Sequence, residues 1–170
     1  MSGETETQPR IGAPSPSGSG PAAVSIVKPD GLLDGHPASS KLDLFEAFTR
    51  KIVEQVQHNP NLWPHTAILI TEDEGGGYWD SGYIQPLDFF GDGTRIPAIM
   101  VSPFSTGGKI SHVYADHVSF LKFVERNWHL PPVSANGRDN LPNPVSQSSN
   151  PYVPTNSPAI GDLMDLFDFH

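Results

Sequence analysis

Short apolar runs without polar alternation constrain the fold of this chain more than any other feature. Residues 66–71, "TAILIT", and residues 96–102, "IPAIMVS", are apolar on both faces of an extended strand. Strands of this kind are buried on both sides and are typical of parallel sheets. A third short run, residues 23–27, is closed by a Pro-Asp-Gly turn and is predicted as a further strand.

Two segments carry apolar side chains at the three- and four-residue spacing of an amphipathic helix. Residues 40–58 place Leu42, Phe45, Phe48, Ile52, Val53 and Val56 on one stripe, and residues 116–128 do the same with Phe120, Leu121, Val124 and Trp128. The order strand, helix, strand, strand, helix predicts an α/β fold with a mainly parallel sheet covered on both faces. In such sheets, ligands bind at the carboxyl ends of the strands.

Two segments are too rich in Gly, Ser and Pro for regular structure. Residues 1–22 are predicted to be a disordered tail, and residues 130–159 a long Pro-rich loop. The start of the chain has no apolar stretch of signal-peptide length, and no run is long enough to span a membrane. The sequence as written therefore predicts a cytoplasmic chain with no transmembrane segment.

Charge and cysteine content narrow the function classes. The 19 acidic and 10 basic side chains give a formal charge of -9, which argues against a nucleic-acid partner. The chain has no cysteine, so disulfides and thiolate metal sites are excluded. An acidic surface does not exclude a phosphate substrate, because a bound metal ion can supply positive charge locally.

The stretch "ILITEDEGGGYWD", residues 68–80, contains an acidic pair that is followed by three glycines. Asp73 and Glu74 follow the predicted strand directly, and the glycines permit a tight turn. Two carboxylates brought to one point repel each other unless a cation or a proton lies between them. Their oxygens suit Mg²⁺, Ca²⁺ or Mn²⁺, and a nearby histidine would extend the choice to Zn²⁺ or Fe. A solvated surface turn is the alternative interpretation.

Three histidines follow predicted strands in the same way. His36 lies between the first strand and the first helix, whereas His112 and His117 lie between the third strand and the second helix. We therefore expect them at the same sheet edge as Asp73. Each histidine taken singly is as readily explained as a surface or helix-capping residue.

These motifs, taken in order, resemble the phosphoesterase family. The matching stretches are "VSIVKPDG", "DGHPASS", "TAILITEDEGGGYWD", "GTRIPAIMVSPF", "YADHVSFLKFVERNW", "LPP" and "DLMDLFDF", and they cover residues 23–169. The family contains bacterial phospholipases C and related acid phosphatases, and it belongs to the alkaline-phosphatase-like superfamily. The resemblance implies a three-layer α/β/α sandwich that carries out metal-dependent hydrolysis of phosphate esters, either phospholipids or small monoesters.

The resemblance also assigns roles to individual residues. Asp73 and Glu74 match the family's metal-binding acidic pair, and His36 matches a histidine expected near the phosphoryl oxygens. Asp116 and His117 match an Asp-His motif with a catalytic or partly structural role. A Ser or Thr nucleophile is implied as well, and it would form a phospho-enzyme.

Two departures from the family pattern matter. Asp80 is followed by Ser81, where the family usually has Asp-His. The family's first half, which supplies the nucleophile and an Asn or Glu metal ligand, has no match here. Residues 23–170 are therefore expected to be the C-terminal portion of a phosphoesterase domain, incomplete as an enzyme on its own. A second chain that supplies the missing half is the partner that this expectation implies. Full-length relatives can be exported.

Two other functions remain open at this point. The chain could be a non-catalytic remnant or an interaction module that keeps the fold, or it could belong to another class of metal hydrolase, such as a sulfatase-like esterase.

Overall fold

The structure is a computed structural model that describes residues 22–169. Its regular elements, in chain order, are helix α1 (Leu42–Gln57), strand β1 (Ile68–Thr71), strand β2 (Ala98–Val101) and helix α2 (Val118–Trp128). Three short 3-10 turns, Trp63–His65, Arg138–Asn140 and Met164–Leu166, complete the list. The predicted α/β class is confirmed, and the predicted tail lies, apart from residue 22, outside the described residues.

The sheet differs from the prediction in direction. Strands β1 and β2 pair antiparallel, with Ile68 opposite Val101 and Thr71 opposite Ala98. A parallel pair needs a crossover connection, which is usually a helix. The 72–97 connection consists of turns and irregular backbone, so the chain reverses direction instead. Within residues 22–169 the prediction of a mainly parallel sheet was therefore wrong.

The predicted strand at residues 23–27 is absent from the described structure. This segment has no regular secondary structure, and its Ile26 side chain is 88% exposed. A strand is stabilised by hydrogen bonds to a neighbouring strand. No strand among residues 22–169 pairs with this segment, which explains why its β-branched residues alone do not produce one.

Both helices lie where the apolar spacing predicts them, with ends that agree to within two residues. The start of α1 is not capped by Ser39 or Ser40, although serine favours the N-cap position. The Ser40 hydroxyl instead donates a hydrogen bond to the Leu32 carbonyl at 2.7 Å. It thereby fastens the preceding loop, which carries His36, to the helix.

The hydrophobic core lies between the sheet, α2 and the C-terminal segment. Phe123 of α2 stacks on Phe167 with ring centroids 5.4 Å apart, and Leu163 is buried beside them. The cross-strand neighbours Leu69 and Met100 pack against this cluster from the sheet. The C-terminal residues, which include the 3-10 turn Met164–Leu166, are therefore part of the core.

The long loop at residues 130–159 is held in place by polar side chains rather than by regular structure. The Lys122 ammonium donates to the carbonyl oxygens of Leu141 and Ile160 at 2.6 and 2.7 Å. The buried Gln85 amide exchanges two hydrogen bonds with the backbone of Ala159. No helix among the described residues has the length and apolar character needed to cross a bilayer.

Candidate phosphoesterase site

The acidic pair after β1 is followed by a tight glycine turn. The Tyr78 N–H donates to the Gly75 carbonyl at 2.9 Å, and Gly76 and Gly77 have φ angles of 59° and 85°. Such angles are strained for residues that carry a Cβ atom. A Cβ atom on Gly75 would lie 2.4 Å from the Thr94 hydroxyl, so any other residue at position 75 would force Thr94 to move. The sequence-based interpretation of these glycines as a turn is confirmed.

His36 faces Glu74 across this turn. The distance from His36 Nε2 to Glu74 Oε1 is 3.8 Å, and the two side chains are 42% and 66% exposed. The Nδ1 atom of His36 accepts a hydrogen bond from the Ala38 N–H at 3.1 Å. Because a backbone N–H can only donate, the neutral imidazole carries its proton on Nε2. His36 is therefore oriented as a hydrogen-bond donor toward the acidic turn.

His117 reaches the same end of β1 from the start of α2. Its Nε2 atom lies 3.0 Å from the Glu72 carbonyl oxygen, so Nε2 must be the donor of this hydrogen bond. The contact joins the N-terminal end of α2 to the residue that follows β1. It leaves Nδ1 as the ring nitrogen that can exchange a proton with a bound group.

Two carboxylates beside these residues were missed by sequence reasoning. Burial raises the pKa of Glu72 above its ordinary value, and the negative charges of Asp73 and Asp34 raise it further. The Asp34 carboxylate also accepts a hydrogen bond from the backbone N–H of His36 at 2.9 Å. Both lie within stretches quoted above: Glu72 directly precedes Asp73, and Asp34 stands two positions before His36. Only this proximity could have indicated them.

Asp116 is occupied with structural contacts. Its carboxylate accepts the N–H groups of Val118 and Ser119 at 2.8 and 3.2 Å, as a helix cap does. It also forms an ion pair with Arg138 at 3.2 Å. These contacts orient the start of α2 and thereby position His117. A direct catalytic role for Asp116 stays a prediction.

His112 does not join this group in the described structure. Its ring packs against Tyr152 with centroids 4.8 Å apart. The expectation that His112 and His117 share an edge with Asp73 assumed parallel strands. Because β2 runs antiparallel to β1, its carboxyl end lies at the opposite edge, and His117 comes back to β1 only through the intervening loop.

The Asp80-Ser81 departure from the family pattern has a clear local structure. Arg95 donates to both carboxylate oxygens of Asp80, at 2.6 to 3.1 Å. These hydrogen bonds hold the pKa of Asp80 well below its usual range. Ser81, which follows it, is exposed.

The described residues offer only part of the ligand set that a metal ion needs. Asp73 and Glu74 offer the hard oxygen ligands that Mg²⁺, Ca²⁺ and Mn²⁺ prefer. However, no group of three or more His, Asp or Glu side chains within residues 22–169 is arranged to hold a metal ion. The described residues therefore do not form a complete metal site by themselves.

Comparison with known proteins identifies the relatives of this chain. The phosphoesterase family model matches residues 21–131. The chain is 28% identical to the hemolytic phospholipase C of Pseudomonas aeruginosa over 146 residues, which is 73% of this chain and 18% of that protein. It is 28% identical to phospholipase C B of Mycobacterium tuberculosis over 135 residues, 64% of this chain and 25% of that protein. The non-specific phospholipase C1 of Arabidopsis thaliana is 30% identical over 95 residues, 46% of this chain and 17% of that protein. This chain thus spans a quarter or less of the length of these relatives.

Proposed function

This chain belongs to the phosphoesterase family, and from that premise we propose that it acts as a phosphoric ester hydrolase of the phospholipase C type. Its substrates would be phosphate esters such as a phospholipid or a small monoester. The observation that carries the proposal is the orientation of His36, whose Nε2–H is directed at the Glu74 side of the glycine turn.

The two histidines supply complementary chemistry in this proposal. A phosphoryl group bound at the turn would receive a hydrogen bond from His36 Nε2, which stabilises the charge that develops on its oxygens. His117 would exchange a proton through Nδ1, because its Nε2 atom is held by the Glu72 carbonyl. Asp116 would act through His117, by fixing the start of α2.

The divalent metal ion is part of the proposal. Asp73 and Glu74 would contribute oxygen ligands, and the remaining ligands would come from groups outside the described residues. When bound, such an ion would neutralise charge on the phosphoryl group. We propose that the nucleophile is also supplied from outside, by a further segment or a second chain.

The finer fold assignment is proposed on similar grounds. We propose that β1 and β2 are part of a wider sheet in a three-layer α/β/α sandwich. Each strand has only one partner among the described residues, and α1 has no buried side chain in spite of its apolar stripe. Both observations suit a sheet and a helix that are covered further in the complete assembly.

Calorimetric titration with Mn²⁺ tests the proposed site without requiring turnover. We expect weak binding, with Kd of about 10⁻⁴ M or higher, because the ligand shell is incomplete. The variants Asp73→Asn and Glu74→Gln should each weaken it by roughly tenfold or more, since affinity follows the charge of the ligands. Asp43→Asn, on the exposed side of α1, is the matched control and should bind as the wild type does.

Hydrolysis of p-nitrophenyl phosphorylcholine and p-nitrophenyl phosphate is the second measurement. We expect little turnover by the chain alone, because removal of a nucleophile typically costs several orders of magnitude in rate. Robust turnover would show that the chain carries its own hydroxyl, and Ser81→Ala and Thr94→Ala would identify it. Metal binding that ignores Asp73 and Glu74, together with no turnover, would instead favour a non-catalytic interaction module.

A further inference from the structure

A tight turn at residues 88–91 presents two phenyl rings to solvent. The Gly91 N–H donates to the Asp88 carbonyl at 3.1 Å, and the Phe90 N–H donates to the Asp88 carboxylate at 2.8 Å. Phe89 and Phe90, at the corners of this turn, are 96% and 89% exposed. Their rings meet edge to face with centroids 5.4 Å apart. They form a contiguous aromatic tip that contributes nothing to the core.

The base of this aromatic turn is held firmly. Arg138 donates to the Asp88 carboxylate at 2.7 Å and also to the Gly91 carbonyl. Three residues before the turn, the buried Gln85 exchanges hydrogen bonds with Ala159. The exposure of the two rings therefore results from an anchored backbone, and binding through the rings would cost little ordering entropy.

The charges beneath the aromatic turn select the kind of surface that it fits. Asp88, Asp92 and Asp116 converge on Arg138, at 2.7, 3.7 and 3.2 Å. Three carboxylates and one guanidinium give this base a formal charge of -2, on a chain of net charge -9. An anionic surface would be repelled here. Aromatic rings instead attract quaternary ammonium groups, and nearby carboxylates add to that attraction.

Exposed aromatic residues also follow the glycine turn of the candidate site. Tyr78 and Trp79, directly after the glycine turn, are both exposed. Tyr and Trp are enriched where proteins meet the membrane–water interface, because their rings suit the headgroup layer. Exposed aromatic rings thus occur at two points on the connection that runs from β1 to β2.

We propose that the aromatic turn anchors this protein to a zwitterionic lipid surface whose headgroups carry choline, with the Phe89 and Phe90 rings inserted into the interfacial layer. The inference rests on the proposed function, since a phospholipase-type site needs its substrate presented at such a surface. The lipid surface is favoured over a protein partner because the acidic base matches the ammonium groups of choline.

Flotation of the full chain with phosphatidylcholine vesicles and with phosphatidylglycerol vesicles tests the proposal. We expect the wild type to prefer phosphatidylcholine. The double variant Phe89→Ala/Phe90→Ala should lower that partition coefficient by about tenfold or more, from the loss of two buried phenyl rings. The control, Ile110→Ala/Val133→Ala, removes two other largely exposed apolar side chains and should bind as the wild type does.

A Phe90→Trp variant reports insertion directly, through a blue shift of its added fluorescence on phosphatidylcholine vesicles. Circular dichroism of each variant should match the wild type, because the rings do not contact the core. Equal binding by the wild type and the double variant would overturn the inference, as would a preference for phosphatidylglycerol. Self-association that the double variant abolishes, without vesicle binding, would assign the rings to a protein contact instead.

The vesicle measurement and the metal titration test the anchor and the proposed function separately. Vesicle binding that depends on the two phenyl rings, with neither a metal response at Asp73 and Glu74 nor turnover, would overturn the proposed function and leave the aromatic anchor in place. A metal response at the acidic pair without vesicle binding would overturn the anchor alone.

Discussion

At the scale of single residues, the most unusual environment outside the candidate site is a buried carboxyl pair. Glu125 of α2 and Asp139 are both buried, hydrogen-bond to each other, and accept the Val133 N–H at 3.2 and 2.7 Å. Burial raises the pKa of Glu125, and the charge of Asp139 raises it further, whereas the Val133 hydrogen bond and the Lys122 charge oppose the rise. The pair fastens the loop after α2 to the helix.

This pair has a definite consequence for stability against pH. A carboxyl group whose pKa is higher in the folded chain favours folding while it is protonated. For Glu125 that contribution is complete below the ordinary value of 4.5 and is lost as the pH rises through the folded value. Paired carboxylates with lowered pKa values, such as Asp88, act in the opposite direction and lose their contribution at acidic pH.

The variant Glu125→Gln isolates this effect. Its amide can donate to Asp139 and accept from Val133 without any ionisation, so we expect a gain on the order of 1 kcal/mol at pH 7. The gain should vanish near pH 4. Urea denaturation at both pH values provides the measurement, and Glu54→Gln on the exposed face of α1 is the control. A variant less stable than the wild type at pH 7 would show that Glu125 is needed in its charged form.

The sequence indicated candidate site residues but not the contacts that surround them. The sequence indicated Asp73, Glu74 and His117 because they stand close to the end of β1 or the start of α2, and it indicated His36 through the family resemblance of the stretch "DGHPASS". Arg138 was not indicated, although it gathers three carboxylates. Its partners lie 22 to 50 positions away along the chain, and nothing in local spacing reports contacts over that distance.

At the scale of elements, α2 contributes a buried side chain to the hydrophobic core, and α1 contributes none. Phe123 is buried in the aromatic stack with Phe167, whereas α1 has no buried residue. Helix periodicity predicted both helices because the signal repeats every turn and is local. The strand direction was not predictable, because apolar runs of four to seven residues report burial and not the orientation of their partner.

Truncation of the stack measures how much α2 contributes. We expect Phe123→Ala to cost about 3–5 kcal/mol, the usual range for a buried phenylalanine. Leu121→Ala, on the same helix but 37% exposed, should cost clearly less and serves as the control. Denaturant midpoints of the two variants compare these costs. Equal losses would mean that the C-terminal segment does not pack on α2 in solution.

At the scale of the whole molecule, the core is small for the surface that the described chain presents. Among residues 22–169, six hydrophobic side chains are buried and nineteen large ones are exposed. The stability of such a domain is marginal, because burial of apolar surface is the main term that opposes chain entropy. The net charge of -9 favours solubility but also adds self-repulsion to the compact state.

The exposed segment at residues 23–27 allows a test of whether this surface is covered in solution. Ile26 and Val27 have no strand partner among residues 22–169, so Ile26→Ser/Val27→Ser should leave the free energy of unfolding within about 0.5 kcal/mol. The double variant should also associate less with itself in sedimentation velocity, because exposed apolar patches drive association. Ile110→Ser/Val133→Ser, which removes similar apolar surface elsewhere, controls for general solubility.

A loss of several kcal/mol in the Ile26/Val27 variant alone would mean that this segment is buried in solution. The wider sheet proposed above would then form, at least in part, within this chain or between two copies of it.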